Sequence, residues 1–223
     1  MISCDYAIFF QDQAHILEYV TYNMDEERFP NKKAVEDQKD SLGEADLSGA
    51  DLIGADLIRA HLIGADLSEA NLKYADLRLA CLINADLIRA NLFGAKLKRA
   101  TFFGADLSSA CLCGANLVSA DLSQADLSGV NLFGARLYET DFSESSMVYA
   151  NLIKADLRAE NLSHADLTGA RLTGADLTEA DLIGAILLGA DLTDAELEYA
   201  DFRGADLRGQ NLQDLKSRGA RID

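Results

Sequence analysis

Leucine recurs every five residues along most of the chain. From residue 42 to residue 212 there are 35 such positions, and 31 of them are Leu; the others are Phe102, Phe142, Phe202 and Met147. Alanine stands two residues earlier at 29 of 33 positions from residue 45 to residue 205; the exceptions are Val130, Thr140, Ser145 and Glu160. A helix repeats about every 3.6 residues and a strand about every two, so neither explains this period. An unbroken repeat of five predicts a solenoid and not a globular core.

Each unit of five divides into a short strand and a turn. Ala-Asp-Leu alternates inward, outward and inward, which predicts a three-residue strand. The next two residues must turn the chain, and Gly is frequent at the second of them, as at Gly49. A type II turn needs a positive φ at this position, and Gly adopts it without steric cost. Where Arg59, Glu69, Arg99 or Glu179 occupies this position, we expect a different turn geometry.

Tandem units such as ADLSG, ADLIG, NLFGA and ADLTE resemble the pentapeptide-repeat family, and the resemblance covers residues 42–212. It implies an all-β solenoid, a right-handed quadrilateral (four-sided) parallel β-helix with four units per coil and with Leu and Ala inside. The repeat would then make about nine coils and, at about 4.8 Å per coil, a rod about 40 Å long. The family is common in cyanobacteria. One member takes part in cell-differentiation signalling, and others confer fluoroquinolone resistance by mimicking duplex DNA.

The segments outside the repeat should close the ends of the solenoid, because an open coil exposes unpaired backbone and bare leucines. We expect residues 1–40 to form an N-terminal capping segment with helices at residues 12–20 and 30–38. Residues 41–212 would be the β-helix, and residues 213–223 a C-terminal cap or tail containing a brief helix. In some family members the C-terminal end dimerises, so both a monomer and an end-to-end homodimer stay open.

Charge and composition narrow the class of protein. The formal net charge of −17 argues against direct nucleic-acid binding, which needs a basic surface. Of the 28 acidic residues in 41–223, 17 are Asp directly before the central Leu, where a short carboxylate can bond nearby backbone N–H groups. We expect no secretion signal in MISCDYAIFF and no membrane span anywhere. The four cysteines show no disulfide-rich spacing, which favours a cytoplasmic location.

An apolar strip is predicted on one face of the coil. It comprises Phe93, Cys113, Phe133 and Ile153, each directly after the central Leu in four consecutive coils. The glycines at positions 94, 114 and 134 would leave this strip flat. A contiguous apolar strip is a candidate site for protein binding. A shorter strip, Ile63, Ile83 and Phe103, is predicted on a neighbouring face.

Another face should change its charge along the rod. Its early coils carry basic residues that are further candidates for protein binding: Arg59, Arg78, Lys98 and Arg99, with Lys96 among them. Its late coils carry Asp176, Glu179, Glu196 and Glu198, and with Asp194 these form a candidate DNA-mimic acidic patch.

No catalytic constellation is found in the sequence. Cys111 and Cys113 both point outward beside Leu112 and could reach one soft metal ion together. Two ligands are too few for a structural zinc site. We therefore expect no enzyme, no cofactor and no metal.

Two functions fit the sequence. The first is a non-catalytic, rigid scaffold, regulatory in role, that binds an unknown protein partner through the apolar strip or the charged face. The alternative is a duplex-DNA mimic that binds DNA gyrase, a type II topoisomerase, and inhibits or protects it. Residues 41–223 carry 16 basic and 28 acidic residues, a net charge of −12. Over the rod this is one charge per about 3.5 Å, against about 1.7 Å for B-DNA, which favours the scaffold.

Overall fold

The computed structural model describes residues 32–223. It contains the α-helices α1 (Lys32–Asp37) and α2 (Leu212–Ser217) and a short 3₁₀ helix, Lys39–Ser41. The β-structure consists of parallel bridges between residues 20 positions apart, the first joining Asp46 to Asp66. One coil therefore contains four units of five, as a quadrilateral β-helix requires. The helix predicted at residues 12–20 lies outside the described residues, whereas α1 lies within the one predicted at residues 30–38.

The core is the narrow column that the repeat predicts. The central Leu positions from Leu42 to Phe202 are buried, and so are nearly all the Ala positions. Each buried Leu contributes roughly 1.5–3 kcal/mol. Phe102, Phe142 and Phe202 replace Leu and are also fully buried. The inside of the described rod is therefore filled by the side chains of the repeat, and the residues between them form its outer surface.

Every backbone N–H of a typical unit has a partner. In residues 65–69, Ala65 N–H closes its turn onto Leu62 O (3.2 Å) and Asp66 N–H donates to Ala45 O of the preceding coil (2.9 Å). Leu67 and Glu69 donate to Asp86 O (2.7 Å) and Ile88 O (2.8 Å) of the following coil. Ser68 N–H donates to Oδ1 of Asp66 in its own unit (2.8 Å). The Asp before the central Leu therefore satisfies the one N–H that the coils leave unpaired.

The predicted three-residue strand is wrong in length. Only the residue before the central Leu forms a bridge in each unit, as Asp66 does with Asp86. The residue after the central Leu bonds to that same Asp side chain and already belongs to the turn. The inward, outward, inward order is nevertheless confirmed, since Ala65 and Leu67 are buried and Asp66 is not.

The turns share one backbone conformation whatever residue they contain. Gly49 has a φ of 64°, as a type II turn needs. The different geometry expected at Arg59, Glu69, Arg99 and Glu179 is wrong, because their φ values are 60°, 57°, 61° and 61°. A non-glycine residue in this region costs roughly 1–2 kcal/mol. The N–H of Arg59 still donates to Arg78 O of the next coil (2.9 Å), and this bond between coils holds the conformation.

Between residues 46 and 206, one bridge between neighbouring coils is missing, that between Arg136 and Asp156. Glu160 stands beside this gap at a position that is Ala in most units, and it is only 3% exposed. Its Oε1 accepts the N–H of Glu139 (2.9 Å), an N–H that elsewhere bonds the next coil. Burial raises the pKa of Glu160 to about 7. A buried carboxyl group therefore replaces part of the backbone pairing at this point.

Both ends of the described solenoid are covered by short helical segments. At the N-terminal end, Lys32 Nζ donates to Ile53 O (3.0 Å) and Glu36 Oε1 accepts the N–H of Asp56 (2.8 Å). At the C-terminal end, an Arg218 guanidinium nitrogen donates to Leu192 O (2.8 Å). α2 also places Leu215 against the last coil, where it is buried. These contacts join the covering segments to the backbone of the first and last coils.

Candidate functional site

We number the four faces of the rod from 1 to 4 and identify each face by its first bridged unit. Face 2 begins with residues 46–49, face 3 with residues 51–54, face 4 with residues 56–59 and face 1 with residues 61–64, and each continues every 20 residues. In each unit the central Leu points inward, and the residues on either side of it, with the second turn residue, point outward.

The predicted apolar strip is present on face 3. Bridges from Asn91 through Cys111 and Asn131 to Asn151 place Phe93, Cys113, Phe133 and Ile153 on four consecutive coils. The side chains of Phe93 and Phe133 are 42% and 55% exposed, and Cys113 and Ile153 are half-buried. We call these four residues the face 3 strip. A row of exposed aromatic and aliphatic groups on a flat surface is typical of a protein-binding site.

Tyr74 extends this strip, and sequence reasoning missed it. Its ring meets Phe93 edge-on, with centroids 5.6 Å apart and an interplanar angle of 90°. A Cβ added to Gly94 would lie 2.8 Å from the Tyr74 ring, so Gly94 makes room for this contact. The glycines at 114 and 134 face open space, as predicted for a flat strip. The aromatic residue two places after Leu72 was the available signal.

Cys111 and Cys113 meet in the middle of the strip. Their Sγ atoms are 3.1 Å apart, so both thiols point to the same side of Leu112 as predicted. Burial, reinforced by the neighbouring Cys111, raises the pKa of Cys113 to about 11. Cys113 therefore stays protonated at neutral pH and behaves as part of the apolar surface. Among residues 32–223 no group of three or more His, Cys, Asp or Glu side chains could hold a metal ion.

Face 4 brings the basic candidates together in a shallow groove. Its lining consists of these basic residues and four others: Arg59, Arg78, Lys98 and Arg99, with Lys39, Asp40, Ile58 and Leu79. Arg78 is engaged by its own unit, because its Nε and a terminal nitrogen donate to Asp76 at 2.7 and 2.8 Å. Within the described chain, no carboxylate lies within ion-pairing distance of Arg59, Lys98 or Arg99.

The acidic candidates lie at the opposite end of face 4. Asp176 bridges to Glu196, and the N–H of Glu179 donates to Glu198 O (2.9 Å), so these four residues share two adjacent coils. Asp194 belongs to the turn between face 3 and face 4, so it borders the patch.

At this acidic end of face 4, the Asp residues are ion-paired within the described chain, and the Glu residues are not. Arg158 is bonded to Asp156, whose pKa it holds below its usual value, and it also lies 3.4 Å from Asp176. No cation among residues 32–223 is within ion-pairing distance of Glu179, Glu196 or Glu198.

These observations define the class of protein as a parallel β-helix with a solid core and with its distinctive chemistry on its outer faces. The sequence matches the family of pentapeptide repeats, in eight copies, over residues 45–82, 80–117, 120–158, 161–198 and 175–214. The chain belongs to the pentapeptide-repeat family. The right-handed quadrilateral β-helix that the repeat implied is thereby confirmed.

Solved structures similar to this chain include proteins from different biological settings. QnrB1, described as a plasmid-mediated fluoroquinolone resistance protein, is 20% identical, with a TM-score of 0.76 over 80% of this chain and 91% of QnrB1. HetL, from the cyanobacterium Nostoc sp. strain PCC 7120, is described as involved in heterocyst differentiation regulation. It is 37% identical over 80% of this chain and 85% of HetL, with a TM-score of 0.30. No curated protein matches this sequence.

The family match and the described residues together indicate a general function. The chain is a pentapeptide-repeat scaffold, and the distinctive groups among its described residues lie on its outer faces. No helix within residues 32–223 is long and apolar enough to cross a membrane.

Proposed function

We propose that this protein is a non-catalytic scaffold that binds a protein partner through the face 3 strip, in a regulatory role. The observation that carries the proposal is the exposure of Phe93 and Phe133 on alternate coils of one flat face, with Cys113 between them. Exposed aromatic residues are frequent anchors at protein interfaces. A solid rod with backbone bonds between its coils would present them with little loss of conformational entropy on binding.

The backbone beneath the strip supports this proposal. The N–H groups of Phe93 and Phe133 donate to Oδ1 of Asn91 (3.2 Å) and Asn131 (3.1 Å). Asn151 Nδ2 also donates to Oδ1 of Asn131 (3.1 Å). These polar groups therefore keep their hydrogen bonds when a partner covers the strip. Burial without such partners would cost about 1–3 kcal/mol per group.

A capture experiment with matched variants tests the proposal. Tagged wild-type protein, a Phe93→Ser/Phe133→Ser variant and a Phe103→Ser control are used to capture proteins from an extract of the source cells. Phe103 occupies the same position of its unit on face 1 and is 39% exposed, close to the 42% of Phe93. We expect a protein that wild type and Phe103→Ser retain and that the face 3 variant loses by tenfold or more, on the order of the loss of one interface hot spot. Equal retention by all three would reject the face 3 strip as the binding site.

A second candidate function is a duplex-DNA mimic that acts on DNA gyrase. The observation that favours it is the set of exposed carboxylates at Glu179, Glu196 and Glu198, which form no ion pair with a cation of the described chain. The resemblance to QnrB1 supplies a fold but, at 20% identity, no function. Two features weigh against this candidate: the charge density is about half that of DNA, and Arg59, Lys98 and Arg99 add a cationic cluster to the same face.

A supercoiling assay with purified gyrase, with and without a fluoroquinolone, tests this second candidate. DNA mimicry predicts inhibition or drug protection that a Glu179→Lys/Glu198→Lys variant lacks. A Glu69→Lys/Glu144→Lys variant is the control, because it makes the same change of net charge on faces 2 and 1. An effect shared by both variants would indicate a general charge effect and not a defined surface.

A further inference from the structure

Face 4 carries opposite charges at its two ends. Its first three coils, residues 56–59, 76–79 and 96–99, contain five basic and two acidic residues, a net charge of +3. Its last three coils, residues 156–159, 176–179 and 196–199, contain five acidic residues and one Arg, a net charge of −4. The two ends of this one surface are therefore nearly equal and opposite in charge.

The unpaired groups show the same division. Three exposed cations, Arg59, Lys98 and Arg99, lie at the N-terminal end of face 4. Asp40 lines the same groove, but no carboxylate of the described chain lies within ion-pairing distance of these cations. Three exposed carboxylates, Glu179, Glu196 and Glu198, lie at the other end, and none of them forms an ion pair with a cation among residues 32–223. Arg158 interacts electrostatically with Glu196 from beyond ion-pairing distance. The solenoid holds these sets several coils apart, so they cannot neutralise each other within one molecule.

We propose that face 4 is the contact surface of an antiparallel dimer, in which its occupant is a second copy of this chain. A two-fold axis that lies in the plane of contact, perpendicular to the rod, places the basic end of one copy against the acidic end of the other, and the reverse contact forms at the same time. A parallel side-by-side pair would put like charges together. The complementary charges therefore select the antiparallel arrangement.

The centre of face 4 is suited to the two-fold axis. Tyr138 is 66% exposed on the fifth of the eight coils of this face, and Val118 lies half-buried on the fourth. A tyrosine at the middle of an interface, with charged groups towards its ends, is a common arrangement. Eight coils with three outward residues each offer 24 residues, within the range of about 20 to 30 per partner in a standard interface.

The covered ends of the rod favour contact through a side. Arg218 and Gln210 already donate to carbonyl oxygens of the last coils, at Leu192 (2.8 Å) and Ala190 (2.9 Å). The first coils are likewise bonded by Lys32 and Glu36. The dimer through face 4 leaves the face 3 strip exposed, so this proposal does not depend on the proposed function.

Charge-reversal variants of the full chain, studied by sedimentation equilibrium, test the dimer. The acidic variant is Arg59→Glu/Arg99→Glu, and the basic variant is Glu179→Lys/Glu198→Lys. Their controls, Arg89→Glu/Lys154→Glu and Glu69→Lys/Glu144→Lys, make the same changes of charge on other faces. Arg89, Lys154, Glu69 and Glu144 have φ values of 56°, 55°, 57° and 57°, so the controls meet the same turn conformation as Arg59, Arg99 and Glu179.

We expect wild type and both controls to dimerise at about 0.05 M salt and to dissociate as added salt shortens the Debye length. Each face 4 variant alone should dimerise at least tenfold more weakly. An equimolar mixture of the two face 4 variants should form a heterodimer at least tenfold tighter than either homodimer. This rescue requires complementary surfaces, so misfolding cannot produce it, and circular dichroism confirms that each variant is folded.

Three results would overturn the proposal. One is a wild-type protein that stays monomeric at the highest attainable concentration in low salt. Another is a dimer that both face 4 variants form as tightly as wild type, which would point to contact through the ends. The third is a mixture of the two folded variants that fails to associate.

Discussion

The residue before each central Leu has a structural role that accounts for much of the acidity of this protein. Asp66, Asp86 and Asp106 each use Oδ1 to accept the N–H of the residue two positions on, at 2.8, 2.9 and 2.8 Å. Asn131 makes the same bond at 3.1 Å, so the bond depends on an acceptor oxygen and not on the charge. The carboxylates on face 2 nevertheless stack in one column. Neighbouring charges about 5 Å apart repel by roughly 1 kcal/mol in water before screening.

Substitution of Asp106 separates these two effects. Asp106→Asn keeps Oδ1 for the N–H of Ser108 and removes one charge from the column, so stability should be unchanged or higher by a few tenths of a kcal/mol. Asp106→Ala removes the acceptor and should lower the free energy of unfolding by about 1 kcal/mol. Urea denaturation at low and high salt measures both. A loss as large for Asn as for Ala would show that the charge itself holds the turn.

At the scale of the single coil, Glu160 is the main departure from regularity. The neighbouring coils lack the bridge between Arg136 and Asp156, and the Glu160 carboxyl group accepts the Glu139 N–H instead. Arg136 and Asp156 belong to face 4, so the gap lies between its basic and acidic ends. We expect this coil to exchange its amide hydrogens faster than its neighbours, because a missing backbone pair lowers local stability.

Stability should depend on pH through Glu160. Burial raises its pKa from 4.5 to about 7, so the folded state holds a proton that the unfolded state releases. The protonated Glu160 therefore contributes roughly 1–3 kcal/mol to the free energy of unfolding. This contribution is fully present below about pH 4.5 and is lost as the pH rises through about 7. Glu160→Gln keeps the acceptor and cannot ionise. It should therefore be more stable than wild type at pH 8 and should lack this pH dependence in thermal unfolding; identical profiles for the two proteins would contradict the assignment.

At the scale of the whole molecule, the period of five was enough to predict the main architecture. It placed Phe93 and Phe133 on one face and Arg59 and Arg99 on another, because a coil of 20 residues without insertions fixes the face of every residue. The hydrogen bond of the Asp side chain also followed from its place beside a turn. These features depend on residue spacing and local chemistry, which a sequence contains.

The remaining features depend on contacts between coils. Arg59 adopts the glycine-like turn because its N–H bonds the next coil, which its side chain does not reveal. Tyr74 joins the face 3 strip only because its ring turns towards Phe93 over Gly94. Glu160 was recognised as an exception among the alanines, but its effect on the bridge at Arg136 requires the packed neighbouring coil. Single exceptions to a repeat were therefore visible in the sequence, while their consequences were not.

If a protein partner covers the face 3 strip, it must also cover the two thiols within the strip, and their reactivity can be measured. Cys111 and Cys113 are half-buried in the free protein.

The complex captured with the tagged protein is treated with an alkylating reagent, and modification of the peptide that contains both cysteines is followed by mass spectrometry. A Ser123→Cys substitution on face 1 provides an internal reference. We expect the partner to slow modification of Cys111 and Cys113 at least tenfold, on the order of the effect of a buried interface core, and to leave modification of position 123 unchanged. Equal rates for Cys111 and Cys113 in the free and bound protein would contradict this expectation.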